Sequence, residues 1–334
     1  MATIRDIAKE AGISAGAVSR ILNNDATLSV SPETRQTVFA IAKRLNYTKS
    51  QRSSKASKAA FTMGIVQWFT AEEELKDNYY LLTRQGIEDF CVKNSISIIR
   101  VFPGDVDART RLSGVDGLVC IGKFSKQEIQ DFINICSNIV FLDIPVEEYH
   151  ITSLSMDFEQ AVYCALDYLA ELGHSEIGFL GGLEYVGNHE PLKDARATAY
   201  KKYMKHRRMD YKKYYKEGRF TAQSGYEMMC ELFDSGNVPT AVFAASDAIA
   251  FGAMRAISEH KLRIPEDISI IGFNDEETCS YMNPPLTTIH APAYDMGQHG
   301  ANLVYVASNL SIHTPLKAKI PCELVVRGSC AKCR

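Results

Sequence analysis

No run of eighteen apolar residues occurs in this 334-residue chain, so no segment is long and apolar enough to cross a bilayer as one helix. Charges begin at Arg5, which leaves no apolar core for a secretory signal, and neither export nor a membrane partner is expected. Common catalytic motifs are also missing. Gly178-Phe179-Leu180-Gly181-Gly182 is neither G-x-G-x-x-G nor a Walker loop, H-E-x-x-H does not occur, and the eight histidines are scattered. Nothing asks for a metal or a cofactor, and an NAD-linked α/β enzyme survives only by analogy of fold. A disulfide framework is excluded too. Nine cysteines, an odd number spread through apparent helices and strands, fit reduced thiols in a cytoplasm. Cys330-x-x-Cys333 has no second pair at zinc-finger spacing, and is expected to lie in a mobile tail.

What is present is a full globular composition, 46% hydrophobic, in a chain long enough for about two or three domains. The net charge of −3 hides an asymmetry. Residues 1–60 carry ten Lys/Arg against four acids, whereas the remainder carries 27 against 36. A basic front end on an acidic body suggests that only the front end meets a polyanion.

That front end reads as three short helices. Ile4, Ile7, Ala8 and Ala11 recur at helical spacing, Thr3 and Asp6 occupy the capping-box positions, and Gly12 supplies a stop. Ser14 caps a second helix, Ala15 to Leu22, whose apolar face is expected to be Ala17, Val18, Ile21 and Leu22. Ala15, Gly16, Ser19, Arg20 and Asn23 would then face outward, a surface shaped to enter a major groove. Ser31 and Pro32 start a third helix with Val38, Ile41, Ala42 and Leu45 on its buried stripe. An ordinary three-helix bundle would show much of the same pattern.

From Thr62 onward, apolar runs alternate with helical patterns. Strands are expected at 63–69, 96–102, 117–121, 139–143, 177–181, 241–245 and 268–273, and helices at 80–93, 158–172, 195–206, 223–233 and 248–260. This alternation argues parallel sheets covered by helices, and too many strands occur for one sheet, so two doubly wound lobes are expected. Ligands of such folds bind at the carboxyl ends of strands, here between the lobes.

The stretch Thr3-Ile4-Arg5-Asp6-Ile7-Ala8, continuing through Ala11-Gly12-Ile13-Ser14 and Val18-Ser19-Arg20-Ile21-Leu22-Asn23 to Leu45-Asn46-Tyr47, resembles the headpiece of the LacI/GalR family of bacterial repressors. The segment from Val242 to Asp275, followed by Pro284-Pro285-Leu286-Thr287-Thr288-Ile289-His290, resembles that family's core, which is similar to periplasmic sugar-binding proteins. The resemblance thus covers nearly the whole chain. It implies a helix-turn-helix headpiece at 1–47, a hinge at 48–61 and an effector-binding and dimerisation core at 62–334. The N-lobe would be about 62–158 and 291–318, and the C-lobe about 159–290 and 319–334.

The resemblance further implies a sequence-specific regulator, expected to repress sugar-utilisation genes. Its partners would be pseudo-palindromic double-stranded operator DNA, a small sugar effector such as a galactoside, and a second copy of itself. A purine or protein corepressor is the other reading within the family. DNA contacts are expected from Thr3, Ser14, Ala15, Gly16, Ser19, Arg20 and Asn23. The family's hinge inserts a leucine into the minor groove; here that position is Ala56, and the usual Pro-Asn is Lys49-Ser50. Phosphate contacts through Lys49, Arg52, Lys55 and Lys58 are expected instead. Carried over residue by residue, the effector site would use Asp77, Tyr79, Tyr80, Asp143, Arg196, Phe220, Ser246, Asp247 and Asn274. A fork on Arg196 can bridge two hydroxyls, and Phe220 can stack on a sugar face. Ala199 replaces a family glycine, and Ser246 and Asn274 replace residues that are often Asn and Asp. Bland alternatives stay open: Tyr79 and Tyr80 as core, Asp143 and Asp247 as caps or turn formers, Arg196 as a solvated helix residue. After Val326 the residues Arg327-Gly328-Ser329-Cys330-Ala331-Lys332-Cys333-Arg334 carry no apolar heptad for a tetramer seam, so a two-fold dimer is expected.

Overall fold

The computed structural model describes residues 3–22, 25, 28, 30–45, 47, 61–74, 78–144, 146, 148–187, 190–310 and 314–334, and divides into two units, 1–59 and 60–334. Asn23, Lys49, Arg52, Lys55, Lys58, Ala56 and Asp77 lie outside the described residues.

In the first unit, α1 (Ile4–Ala11) starts at a reciprocal capping box. The Asp6 N–H donates to Thr3 Oγ1 at 3.3 Å, and the Thr3 N–H donates to Asp6 Oδ2 at 2.8 Å. Gly12 ends the helix at φ 66°, a conformation that costs a side-chain-bearing residue more than glycine. α2 (Ala15–Leu22) starts at Ser14, whose Oγ accepts from the Ala17 N–H at 3.2 Å. Ser31 caps α3 (Pro32–Arg44) through the Thr34 N–H at 3.2 Å. Ile7, Ala8, Val18, Ile21, Val38, Ile41 and Ala42 close one small core. One placement differs from the sequence reading: Ala15, expected to face outward, is half-buried against this core. On a 3.6-residue helix Ala15 falls on the Val18–Leu22 side, whereas Ala17 lies further round.

The second unit runs β1 (Thr62–Gln67), α4 (Ala71–Glu74), α5 (Tyr79–Lys93), β2 (Ser97–Val101), α6 (Ala108–Leu112), β3 (Gly117–Ile121), α7 (Lys126–Ile135), β4 (Ile139–Leu142) and β5 (Thr152–Met156). It continues with α8 (Phe158–Glu171), β6 (Ile177–Gly182), β7 (Glu184–Val186), β8 (Glu190–Leu192), α9 (Ala195–His206), β9 (Tyr215–Gly218), α10 (Ala222–Asp234), β10 (Ala241–Ala244) and α11 (Asp247–Glu259). β11 (Ser269–Asn274), β12 (Thr287–His290), α12 (Ala293–Leu310), β13 (Lys317–Ile320) and β14 (Glu323–Val325) complete it. One six-stranded sheet has the order β13-β5-β4-β3-β1-β2, all parallel; the other has the order β14-β12-β11-β10-β6-β9, parallel except for β14 on β12. β7 and β8 form a separate hairpin. The chain passes between the sheets after β5, after β12 and after β13.

Interior strands such as β3 and β10 are buried along their whole length, which is why they read as unbroken apolar runs. Among the described residues no helix is long and apolar enough to cross a membrane. The C-terminal segment is packed, not mobile. The Cys333 N–H donates to the Leu172 carbonyl at 2.8 Å, and the Ala331 N–H to Ser269 Oγ at 3.1 Å. The buried His174 ring contacts Thr240 Oγ1, Ser269 Oγ and the Ala331 carbonyl at 3.0–3.1 Å. Burial pushes the Cys330 thiol up to about 11, the opposite of an activated thiolate.

Candidate functional site

The outward side of α2 presents Gly16, which is exposed, Ser19, half-buried, and Arg20, whose side chain is 48% exposed. Arg20 Nε donates to Asp25 Oδ2 at 2.7 Å, and Arg35 Nη2 donates to the Asp25 and Leu28 carbonyls at 3.0 and 2.9 Å. The Thr3 and Ser14 oxygens are already occupied by their caps. Gly12-Ile13-Ser14-Ala15-Gly16 happens to spell G-x-S-x-G, yet it joins two helices and not a strand to a helix. Ser14 therefore caps α2 where a hydrolase would hold a nucleophile.

In the second unit the charged groups collect where parallel strands end. Asp143 follows β4 at φ 68°, a left-handed position that aspartate tolerates better than most residues, and is 3% exposed. Its Oδ2 accepts from Tyr80 Oη and from Lys123 Nζ, both at 2.7 Å; its Oδ1 accepts from Tyr79 Oη at 3.3 Å. Lys123 Nζ also donates to the Asp143 carbonyl. Burial, reinforced by the Asp143 charge, raises both phenols far above the ordinary tyrosine range. Burial works against charging Lys123, but Asp143 and Glu184 outweigh it and hold the ammonium above the usual lysine value.

The other sheet contributes Arg196, in the first turn of α9. Asp194 caps that helix by accepting from the Arg196 N–H at 2.7 Å, and its carboxylate takes a fork from the same residue, Nε to Oδ1 at 3.0 Å and Nη2 to Oδ2 at 2.7 Å. Nη1 donates to the Ala245 carbonyl at 2.7 Å. Three aromatic rings surround the guanidinium carbon, Phe220 at 4.8 Å, Phe158 at 5.3 Å and Phe273 at 5.4 Å. Arg196 is therefore no solvated helix residue: its side chain is 11% exposed. Three of its five N–H donors are engaged, which leaves two for a ligand. The Phe220 ring fits because residue 182 is glycine. A Cβ there would lie 2.2 Å from the ring. Glu184 on β7 completes the group. Burial, with Asp194 and Asp143 adding and Lys123 and Arg196 opposing, pushes its carboxyl up to about 7.

Two cavities meet at this cluster. A small one, of about 20 Å³, is lined by Tyr79, Tyr80, Phe220 and Asn274 together with Asp143 and Arg196. That is room for roughly one water. A large one, of about 860 Å³, shares Asp143, Phe158, Glu184 and Arg196 and extends over Lys123, Tyr149 and Ser155. Six of the expected effector residues thus come together. Ser246 and Asp247 do not: neither lines either cavity. Ser246 caps α11 through the Ile249 N–H at 3.3 Å. Asp247 is fully buried and accepts from Thr288 Oγ1 at 2.5 Å and the Glu276 N–H at 2.8 Å. Asn274 reaches the small cavity at φ 112°. The sequence reading missed Lys123, Asp194 and Glu184. Only Asp194 left a signal, as a cap two residues before Arg196; the other two are recognised by what the fold brings beside them. Among the described residues no group of His, Cys, Asp and Glu could hold a metal ion.

A helix-turn-helix unit in one chain with two parallel α/β sheets and a cavity at their strand ends defines the class of helix-turn-helix regulators with a periplasmic-binding-protein-like core. Comparison with known proteins agrees. Residues 3–50 match the family described as bacterial regulatory proteins, lacI family, and residues 166–330 match the periplasmic binding protein-like domain. The chain is 35% identical to the HTH-type transcriptional regulator GalR of Streptococcus thermophilus, over 98% of this chain and 99% of that one. It is 32% identical to the HTH-type transcriptional regulator GanR of Bacillus subtilis (strain 168), over 98% and 99%. The structure of the lac repressor dimer bound to operator and the anti-inducer ONPF superposes with a TM-score of 0.70 at 27% identity, covering 99% of each chain. The chain belongs to the lacI family of bacterial regulatory proteins, which are transcription regulators and not enzymes.

Proposed function

We propose that this chain is a cytoplasmic, sugar-responsive repressor, which binds a pseudo-palindromic operator as a dimer and releases or tightens its grip when a small sugar, a galactoside first, enters the cavity between the two sheets. The observation that carries the sugar reading is the pairing of Asp143 on one sheet with Arg196 on the other across one cavity, beside the Phe220 ring. Carboxylate oxygens and guanidinium donors accept from and donate to adjacent hydroxyls, while an aromatic face covers the apolar side of the ring. The effector set reduces to Tyr79, Tyr80, Asp143, Arg196, Phe220 and Asn274, joined by Lys123 and Glu184. Since the small cavity has room for about one water, a sugar would occupy the large one and touch the cluster from that side.

On α2, Gly16, Ser19 and Arg20 are the groove-facing set, Ala15 adds at most a methyl edge, and Thr3 and Ser14 act through their caps and backbone. Thermal unfolding with a panel of galactosides, other sugars and purines tests the effector. A ligand at a hundred times its Kd stabilises by about 2.7 kcal/mol. Stabilisation by a galactoside supports the reading; stabilisation by a purine and by no sugar would replace it with the corepressor reading.

A further inference from the structure

A further cavity, of about 590 Å³, opens along α9. Its wall is built from Lys193, Lys201, Lys202 and Lys205, with Leu183 and Leu192 supplying apolar surface. The acids on that wall are Glu217 and Asp194, and Asp194 is already held by the Arg196 fork. Lys202 reaches Glu159 at 2.5 Å, but Lys193, Lys201 and Lys205 make no ion pair among the described residues. Lys201 and Lys205 stand one helical turn apart, an arrangement of like charges that destabilises a helix unless something of opposite sign sits between them. Aromatic faces hold both in place: Lys201 Nζ lies 4.0 Å from the Tyr215 ring centre, and Lys205 Nζ lies 5.7 Å from that of Tyr211. The positive charge of Lys193, Lys201 and Lys205 is therefore concentrated without an ion-pair partner among the described residues, in a concavity of ligand size.

We propose that this cavity, which adjoins the interlobe one along α9, binds a small metabolite carrying two phosphoryl groups on a sugar-sized body. Three ammonium groups without an ion-pair partner among the described residues, Lys193, Lys201 and Lys205, with Glu159-paired Lys202 beside them, match a ligand of several negative charges, and the two leucines match a carbon skeleton. Concave shape favours a small molecule over the flat face of an acidic protein. Leu192, Lys193, Thr198 and Lys202 line both this cavity and the large interlobe one, so an occupant here bears on the same turn of α9 that carries Arg196.

The test is isothermal titration of the full chain with inorganic pyrophosphate and with a hexose bisphosphate, using the unphosphorylated hexose as control. Both phosphorylated probes are expected to bind at submillimolar concentration, more weakly as salt is raised, and the bare hexose not to share this site. The double variant Lys201→Gln, Lys205→Gln alters residues that line only this cavity. It should weaken both probes at least tenfold and leave the ligand-free melting temperature unchanged or higher. Arg20→Ala, which tests for adventitious binding to the basic headpiece, should leave both affinities as they were. Absence of binding by either probe, or equal binding by the lysine double variant, overturns the proposal. So does retention of polyglutamate by a chain that ignores both small phosphates, which would make the surface a protein-docking one.

Discussion

At the scale of single residues, Arg196 combines a structural role with the ligand-facing one proposed for it. Its fork neutralises Asp194, a carboxylate 8% exposed, and burial alone would push that carboxyl up whereas Arg196 brings it below its usual value. Replacing Arg196 alone leaves an unpaired buried charge, which costs about 3–5 kcal/mol of stability and would obscure any loss of ligand binding. The informative variant is Arg196→Leu with Asp194→Asn. Asparagine keeps an oxygen to cap α9, and no charge is stranded. This pair is expected to fold, to bind operator like the parent, and to lose about 1.5–3 kcal/mol of effector affinity, since hydrogen bonds from a charged donor are removed. Calorimetry with the effector identified by the sugar panel reads this directly, and an unchanged affinity would remove Arg196 from the site. Arg20 is the corresponding residue on the headpiece. Its bond to Asp25 is an exposed pair of the kind worth about 0–1 kcal/mol, so DNA can compete for the guanidinium. Arg20→Ala should weaken operator binding by about 1–3 kcal/mol if it reads a base, as measured by fluorescence anisotropy. An equal loss on random DNA would make it a phosphate contact.

At the scale of elements, periodicity carried the helices and unbroken apolar runs carried the buried strands, and both lie where they were expected. Three of the strands outside those expectations share one cause. β9 (Tyr-Lys-Glu-Gly) and β13 (Lys-Ala-Lys-Ile) are edge strands with polar sequences, and β5 (Thr-Ser-Leu-Ser-Met) alternates. Their pairing comes from neighbours far away in sequence and leaves no local signature. The site behaved alike: Asp143 and Arg196 followed from the family pattern, but Lys123 and Glu184 are defined only by the folded cluster. Ser246 and Asp247 line neither cavity, because a polar pair after a strand serves equally well to start a helix, and here it starts α11. Asp247 carries a consequence for pH. Burial pushes its carboxyl up to about 7 despite hydrogen bonds from Thr288 and the Glu276 N–H. A carboxyl raised on folding favours the folded state below its unfolded value, near 4, and surrenders that contribution as pH climbs through about 7. Urea midpoints at pH 5 and pH 8 should therefore fall further in the parent than in Asp247→Asn, whose amide does not titrate. Parallel pH profiles would mean that Asp247 stays ionised throughout.

At the scale of the whole molecule, the two units have opposite charge, with ten Lys/Arg against four acids in residues 1–60 and 27 against 36 in the remainder, and a dimer serves both. A recognition helix of eight residues reads only a few base pairs, and two-fold repetition over half-sites is the geometric route to a longer site. The body is the larger unit, and its C-terminal residues are spent on packing against Leu172 and β11. Residues 327–334 are packed and not helical. Light scattering at micromolar concentration is expected to give twice the 37.2 kDa chain mass, and that mass plus one duplex when operator is bound. Binding should follow the dimer: a palindrome with both half-sites should bind far more tightly than a single half-site, because the second headpiece then meets its target as an intramolecular partner. Inserting five base pairs between the half-sites rotates one of them to the opposite side of the duplex and should abolish that advantage. A tetramer by light scattering, or a half-site bound as tightly as the full palindrome, would show that the body does not pair the headpieces in this way.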